Sequence, residues 1–166
     1  MARIVVQRDR GVVLVVDDDE DYRTIVRRIL ERERYFVLEA RDGYDALDLL
    51  RSEAGPAIRL IILDLVMPAM SGWDVVQELR RDPALSRVPV LVTSAMPVHG
   101  DASGIGATIP SLGKPVDEER LLSAVAGVMG GRYSAARMRF AASSSSSSRS
   151  AAYDARKNER ERPSKA

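Results

Sequence analysis

Short apolar runs alternate with amphipathic stretches along the first 130 residues of the chain. The runs are rich in Val, Ile and Leu, which is typical of strands that are buried on both faces. They predict five strands, at residues 11–16, 35–40, 57–63, 88–93 and 108–112, of which the last is the weakest. Because helical patterns separate the strands, we predict a parallel sheet covered by helices on both faces.

The stretches between the runs carry apolar residues at helical spacing and signals for where each helix begins and ends. The predicted helices are one capped by Asp19 and reaching Glu33, one capped by Asp42 and ended by Gly55-Pro56, one at 72–81, and one capped by Asp117. Residues 98–107 contain three glycines and few helix formers. Each glycine costs a helix about 1 kcal/mol relative to alanine, so we expect a single turn or an irregular loop there.

Composition changes sharply near residue 130. The first 130 residues hold 16 Lys and Arg against 21 Asp and Glu, whereas residues 131–166 hold 9 against 3. The second part is Ser-rich and polar, so we predict that it is a disordered basic tail. The predicted organisation is a short extension at 1–10, one domain at 11–130 and this tail at 131–166.

Composition also excludes several classes of protein. The chain has no cysteine, which excludes a disulfide framework and a thiolate metal site. No run approaches the roughly 20 apolar residues of a membrane span, and the charged start does not resemble a signal peptide, so we predict a cytoplasmic protein without membrane contact. The basic tail could contact phosphates weakly, but no helix-turn-helix accompanies it, and we do not expect DNA binding.

Charged side chains follow three of the predicted strands. Asp17 and Asp18 come directly after the first strand, Asp64 after the third and Lys114 after the fifth. The carboxyl ends of parallel strands line one crevice, so we expect these side chains to converge. Clustered carboxylates repel one another and need a cation, and their hard oxygen ligands suit Mg²⁺. The sequence therefore predicts a site for a metal and a phosphoryl group.

Four segments in this order resemble the receiver domain of two-component response regulators. They are VVLVVDDDEDYRTIVRRIL, LIILDLVMPAMSGWDVVQEL, VPVLVTSA and GKPVDEERLL, and the resemblance covers about residues 11–130. It implies an α/β fold of the flavodoxin-like, doubly wound kind, with a five-stranded parallel sheet in the order 2-1-3-4-5. It also implies five helices, of which the glycine-rich stretch would shorten the fourth.

The resemblance assigns roles to the acidic residues. Asp64 would accept the phosphoryl group, because a carboxylate is a competent nucleophile for this transfer. Asp17 and Asp18 would bind Mg²⁺ together with Asp64 and the backbone carbonyl of Val66. Asp19 fits a helix cap better than a metal ligand.

The resemblance also assigns roles to two residues at the end of the predicted sheet, Lys114 and Ser94. Lys114 would pair with the phosphoryl oxygens, and its bond to Pro115 is a candidate for the cis form. The Ser94 hydroxyl would bond a phosphoryl oxygen and draw the following loop inward. Thr93 is the rival, but neighbouring strand residues point to opposite faces, and the alanine after Ser94 favours Ser94.

The chain departs from the family at three positions. The family often has an aromatic residue three before the lysine, where this chain has Ser111. Val66 and Met96 stand two beyond Asp64 and Ser94, where polar residues help to position an attacking water. Two apolar residues there predict slow self-dephosphorylation.

His99 is the one histidine, and we expect it in solvent and without a catalytic role.

These residues predict a stand-alone receiver in a phosphorelay. A sensor histidine kinase or a histidine phosphotransfer protein would donate to Asp64, and the output would be contact with a downstream protein of unknown identity, without an enzymatic reaction of its own. One alternative is a receiver that docks partners without phosphorylation. Another is an aspartyl-nucleophile phosphatase, although such enzymes carry a second acid where this chain has Val66.

Overall fold

Five strands form one parallel sheet in the computed structural model, which describes residues 10–95 and 109–130. The strands are β1 (Val12–Val16), β2 (Phe36–Ala40), β3 (Ile58–Asp64), β4 (Val90–Ser94) and β5 (Ser111–Gly113). Every neighbouring pair is parallel, and the order across the sheet is β2-β1-β3-β4-β5. The predicted fold class and strand order are confirmed.

Four α-helices lie in the described part of the chain and connect or follow the strands. They are α1 (Glu20–Arg32), α2 (Gly43–Arg51), α3 (Gly72–Arg81) and α4 (Glu118–Met129). Asp19, Asp42 and Asp117 cap α1, α2 and α4, as the sequence predicts, by accepting hydrogen bonds from the free N–H groups of the first turn. Ser71 and Asp74 form a reciprocal capping box at the start of α3.

The end of α2 differs from the prediction. The helix stops at Arg51, before Gly55, because Ser52 turns into an extended conformation and its hydroxyl donates a 2.7 Å hydrogen bond to the Leu49 carbonyl. Gly55–Ala57 instead forms a 3₁₀ turn that folds back on α2. A Cβ on Gly55 would lie 2.0 Å from the Leu50 carbonyl oxygen, so only glycine allows this close approach.

Helices bury both faces of the sheet. In β1, Leu14 and Val16 pack on the side of α2 and α3, and Val13 and Val15 pack on the side of α1 and α4. Each of these four side chains is at most 1% exposed, and burying one of this size stabilises the fold by about 1.5–3 kcal/mol. The faces of the sheet are therefore committed to packing, and polar side chains gather at the ends of the strands.

Several predictions fall outside the described residues. They concern the shortened fourth helix between β4 and β5, the residues Met96 and His99, nearly all of the N-terminal extension, and the tail at 131–166. In the two described ranges, no helix has the length and apolar character that crossing a bilayer requires.

Ala69, in the turn from β3 to α3, has a strained backbone conformation that a substitution can test. Ala69 has a φ of 65°, a left-handed conformation that costs a residue with a side chain about 1–2 kcal/mol. We predict that Ala69→Gly raises the free energy of unfolding in urea by about 0.5–1 kcal/mol, after the greater freedom of the unfolded glycine chain is subtracted.

Ala84→Gly is the matched control. Ala84 is also exposed and lies in a turn, but it is not among the described residues with positive φ. This substitution should lower the stability, since glycine gains nothing there. Equal destabilisation by the two substitutions would contradict the strain at Ala69.

Candidate functional site

Three carboxylates meet at the carboxyl ends of β1 and β3. Asp17 directly follows β1 and is 1% exposed, and Asp64 is the last residue of β3 and is 5% exposed. Asp18, beside them, is exposed to solvent. One oxygen from each of the three carboxylates lies within 4.8 Å of the others. The parallel register of β1 and β3 thus brings together the acidic residues that the sequence singled out.

Lys114 enters this acidic cluster from the end of β5. Its ammonium donates hydrogen bonds to Asp17 Oδ2 and, at 2.9 Å, to Asp64 Oδ2. Its backbone N–H donates to the Ser94 carbonyl at 2.8 Å, which ties the lysine to the end of β4. The Lys114–Pro115 bond is cis, as expected from the sequence. One cation is therefore shared by two buried carboxylates from different strands.

Burial and the neighbouring hydrogen-bond partners shift the pKa values of Asp17 and Lys114 in opposite directions. Burial raises the pKa of Asp17, even though hydrogen bonds from Lys114 and from the Asp19 N–H act to lower it. Burial alone would lower the pKa of Lys114, but its hydrogen bonds to Asp17 and Asp64 outweigh burial, and the pKa is raised. Lys114 is therefore held as a cation at neutral pH.

Backbone N–H groups hold the two buried carboxylates, and an arginine side chain holds the backbone of Asp17. The Asp19 N–H donates to Asp17 Oδ1 at 3.0 Å, and the Arg23 guanidinium donates to the Asp17 carbonyl at 2.8 Å. The Val66 N–H donates to Asp64 Oδ1 at 3.3 Å. Arg23 was not predicted from the sequence, because an arginine on a helix normally indicates a solvated face.

Gly72 holds the turn that follows Asp64. Its N–H donates to the Leu65 carbonyl at 3.1 Å. A Cβ at this position would lie 2.1 Å from the Asp64 carbonyl oxygen, so the start of α3 can pack against the end of β3 only with glycine. Gly72 is the first residue of the helix predicted at 72–81, but nothing in the sequence pattern connects it with the site.

Thr93 and Ser94 lie at the end of β4, and both are buried. Alternation along the strand places Thr93 on the side of Leu91 and Ser94 on the side of Val92, which pack on opposite faces of the sheet. The Ser94 carbonyl accepts the Lys114 N–H. The switch role of the Ser94 hydroxyl stays a prediction.

Tyr22 brings an aromatic ring to the lysine. The centroid of its ring lies 4.3 Å from Lys114 Nζ, which is within the range of a cation–π contact. Burial raises the pKa of the Tyr22 phenol, although the Lys114 ammonium and the Thr93 hydroxyl act in the other direction. In the sequence, Tyr22 stands out only as one of the apolar residues at helical spacing in the segment that forms α1.

The profile of the response regulator receiver domain matches residues 13–126, well over half of the chain. The chain belongs to this family. It is 31% identical over 120 residues to the polar-differentiation response regulator DivK of Brucella ovis, covering 71% of this chain and 95% of that protein.

Solved receivers have the same fold. The chemotaxis protein CheY4 of Vibrio cholerae superposes with a TM-score of 0.61 at 28% identity, over 71% of this chain and 98% of that one. The N-terminal domain of a response regulator receiver protein from Methanoculleus marisnigri gives a TM-score of 0.59 at 30% identity, over 72% and 97% of the two chains.

Receiver domains bind Mg²⁺ at an acidic pocket, and the donors of this receiver fit that ion. Asp17, Asp18 and Asp64 offer carboxylate oxygens only, the hard ligands that Mg²⁺ prefers. Asp18 is open to solvent, which suits an ion that retains several waters. The roles of the individual side chains, including the backbone carbonyl of Val66, stay predictions.

Lys114 should compete with a bound divalent cation. We predict that Lys114→Met raises the affinity for Mg²⁺ about tenfold, because like charges near 4 Å repel by about 1–4 kcal/mol near a protein surface. Asp18→Asn should lower the affinity. Titration calorimetry with MgCl₂ measures both.

The control for this titration is Arg120→Met. Arg120 is an exposed cation on α4 whose ion pair is with Asp117, outside the acidic cluster, so its loss should leave the affinity unchanged. Unchanged or weaker binding by Lys114→Met would show that the lysine does not oppose the metal.

Proposed function

We propose that this receiver accepts a phosphoryl group on Asp64 from the phosphohistidine of a sensor kinase or of a phosphotransfer protein. The supporting observation is the contact between the buried Asp64 carboxylate and the Lys114 ammonium, beside two further carboxylates. A carboxylate oxygen of Asp64 attacks phosphorus, the P–N bond breaks, and its electron pair returns to the leaving imidazole, which gives an aspartyl phosphate.

The surrounding residues of the chain prepare this step. Lys114 offsets the negative charge that Asp64 and the incoming phosphoryl group bring together, and the Ser94 hydroxyl donates to a phosphoryl oxygen. Asp17, Asp18, Asp64 and the Val66 carbonyl would hold Mg²⁺, which when bound neutralises charge on the phosphoryl oxygens. Arg23 and the Asp19 N–H keep Asp17 in place while the charge distribution changes.

The output of this receiver is a contact with another protein. A phosphoryl group adds charge and acceptor oxygens at the ends of β3 and β4, and thereby biases an existing equilibrium of the surface around Ser94. Ser111, where many receivers carry an aromatic residue, is exposed on β5. Transmission of the phosphorylation signal from Asp64 to the partner-binding surface therefore does not depend on an aromatic side chain at this position.

Two other functions fit the site less well. A phosphatase that uses an aspartyl nucleophile needs a second acid at Val66, whose side chain is apolar and solvent-exposed. A docking module that is never phosphorylated has no need to bury Asp17 and Asp64 around one cation, which is costly without a chemical role.

Mass spectrometry tests the proposal directly. Incubation with a small phosphodonor and Mg²⁺ should add about 80 Da to the wild-type protein, and Asp64→Ala should abolish the addition. Asp48→Ala is the control, since Asp48 is an exposed aspartate on α2 away from the cluster. Equal labelling of wild type and Asp64→Ala would refute the proposal.

The phosphorylated protein should lose its phosphoryl group slowly. Val66 is 61% exposed next to Asp64 but cannot orient an attacking water, so we predict a half-life of minutes or longer after the phosphodonor is removed. Val66→Asn should shorten this half-life, and Val66→Leu should not. The half-life is measured from the loss of the added mass over time. A wild-type half-life of seconds would contradict the prediction.

A further inference from the structure

An aromatic ring contacts the lysine that the site depends on. Tyr22 lies in the first turn of α1, and its ring centroid is 4.3 Å from Lys114 Nζ. The Lys114 side chain is only 17% exposed, so little water screens this contact. A cation over an aromatic face is attracted by the negative electrostatic potential of that face, and the attraction is stronger where water is excluded.

Lys114 needs such a contact because its side chain is long and rotatable. Its hydrogen bonds with Asp17 and Asp64 hold the ammonium from the side of the carboxylates. These acceptors change when Asp64 is modified or when the carboxylates take other partners. The ring of Tyr22 carries no group that those changes would alter.

We propose that Tyr22 is a positioning residue for Lys114, holding its ammonium over the ring face at the carboxyl ends of β1 and β3. The inference rests on the proposed phosphoacceptor function, because it assigns Lys114 to the phosphoryl oxygens. Tyr22 acts through Lys114 and does not touch the phosphoryl group.

The ring carries this role, and the hydroxyl does not. The Thr93 hydroxyl is close enough to influence the Tyr22 phenol, but within the described residues neither hydroxyl has a hydrogen-bond partner. A buried hydroxyl without a partner contributes no stability. Phenylalanine should therefore replace Tyr22 without loss, whereas leucine should fill part of the space but lose the attraction for the cation.

A double-mutant cycle in urea, without metal or phosphodonor, tests the contact itself. The variants are Tyr22→Leu, Lys114→Met and the double substitution. We expect the coupling to change the unfolding equilibrium constant about tenfold, since a cation–π contact is strongest where water is excluded. Tyr22→Phe should retain the coupling. Additive effects of Tyr22→Leu and Lys114→Met would overturn the proposal.

Tyr35→Leu is the matched control for lost packing. Tyr35 is buried in the same cluster on the α1 and α4 side, but the cation over its ring is Arg10, at 5.7 Å. Tyr35→Leu should change the unfolding equilibrium constant by the same factor in the wild-type and Lys114→Met backgrounds. Coupling of Tyr35 to Lys114 as strong as that of Tyr22 would indicate general loosening of the core and overturn the proposal.

Phosphorylation kinetics test the consequence for the site. With a small phosphodonor and Mg²⁺, Tyr22→Leu should slow labelling of Asp64 several-fold, and Tyr22→Phe should label like wild type. In the Lys114→Met background, Tyr22→Leu should have no further effect. An equal slowing in both backgrounds would assign Tyr22 a merely structural role.

The two measurements separate failure of this inference from failure of the proposed function. If wild type takes up no phosphoryl group while the urea cycle shows coupling, the contact stands and the phosphoacceptor function fails. If wild type is labelled but the cycle is additive, the function stands and the role of Tyr22 fails.

Discussion

The ammonium of Lys114, shared by the buried carboxylates of Asp17 and Asp64, is the interaction on which the site depends. Two carboxylates this close repel each other, and burial strengthens the repulsion because water no longer screens it. Burying them side by side is therefore costly unless a cation lies between them. The lysine comes from β5 and the carboxylates from β1 and β3, so the charge balance exists only after the sheet has formed.

The rest of the fold keeps these three groups in register. Strands buried on both faces cannot slide without exposing their apolar side chains, and this fixes the ends of β1 and β3 relative to each other. Gly72 lets α3 begin against the Asp64 carbonyl. Arg23 secures the Asp17 carbonyl from α1. Packing thus supplies the rigidity that the proposed phosphoryl transfer requires.

The sequence predicted the parts of this arrangement that depend on local pattern. Apolar runs marked the strands, acidic side chains marked the caps of α1, α2 and α4, and the carboxylates followed the strands that carry them. The parallel topology also predicted that these side chains converge, but other contacts between distant segments could not be predicted in this way. Tyr22 occupies an ordinary apolar position of α1, and its role becomes visible only when β5 brings Lys114 beside it. The early end of α2 likewise depends on one hydroxyl, that of Ser52, competing for a backbone carbonyl.

The most direct test asks which carboxylate of the cluster carries the phosphoryl group. An aspartyl phosphate is reduced by borohydride to homoserine, which peptide mass spectrometry locates in the chain. After incubation with a small phosphodonor and Mg²⁺, we predict homoserine at position 64 alone, because we assign the phosphoryl group to Asp64, whereas Asp17 and Asp18 would only bind Mg²⁺. Homoserine at position 17 or 18 would contradict it.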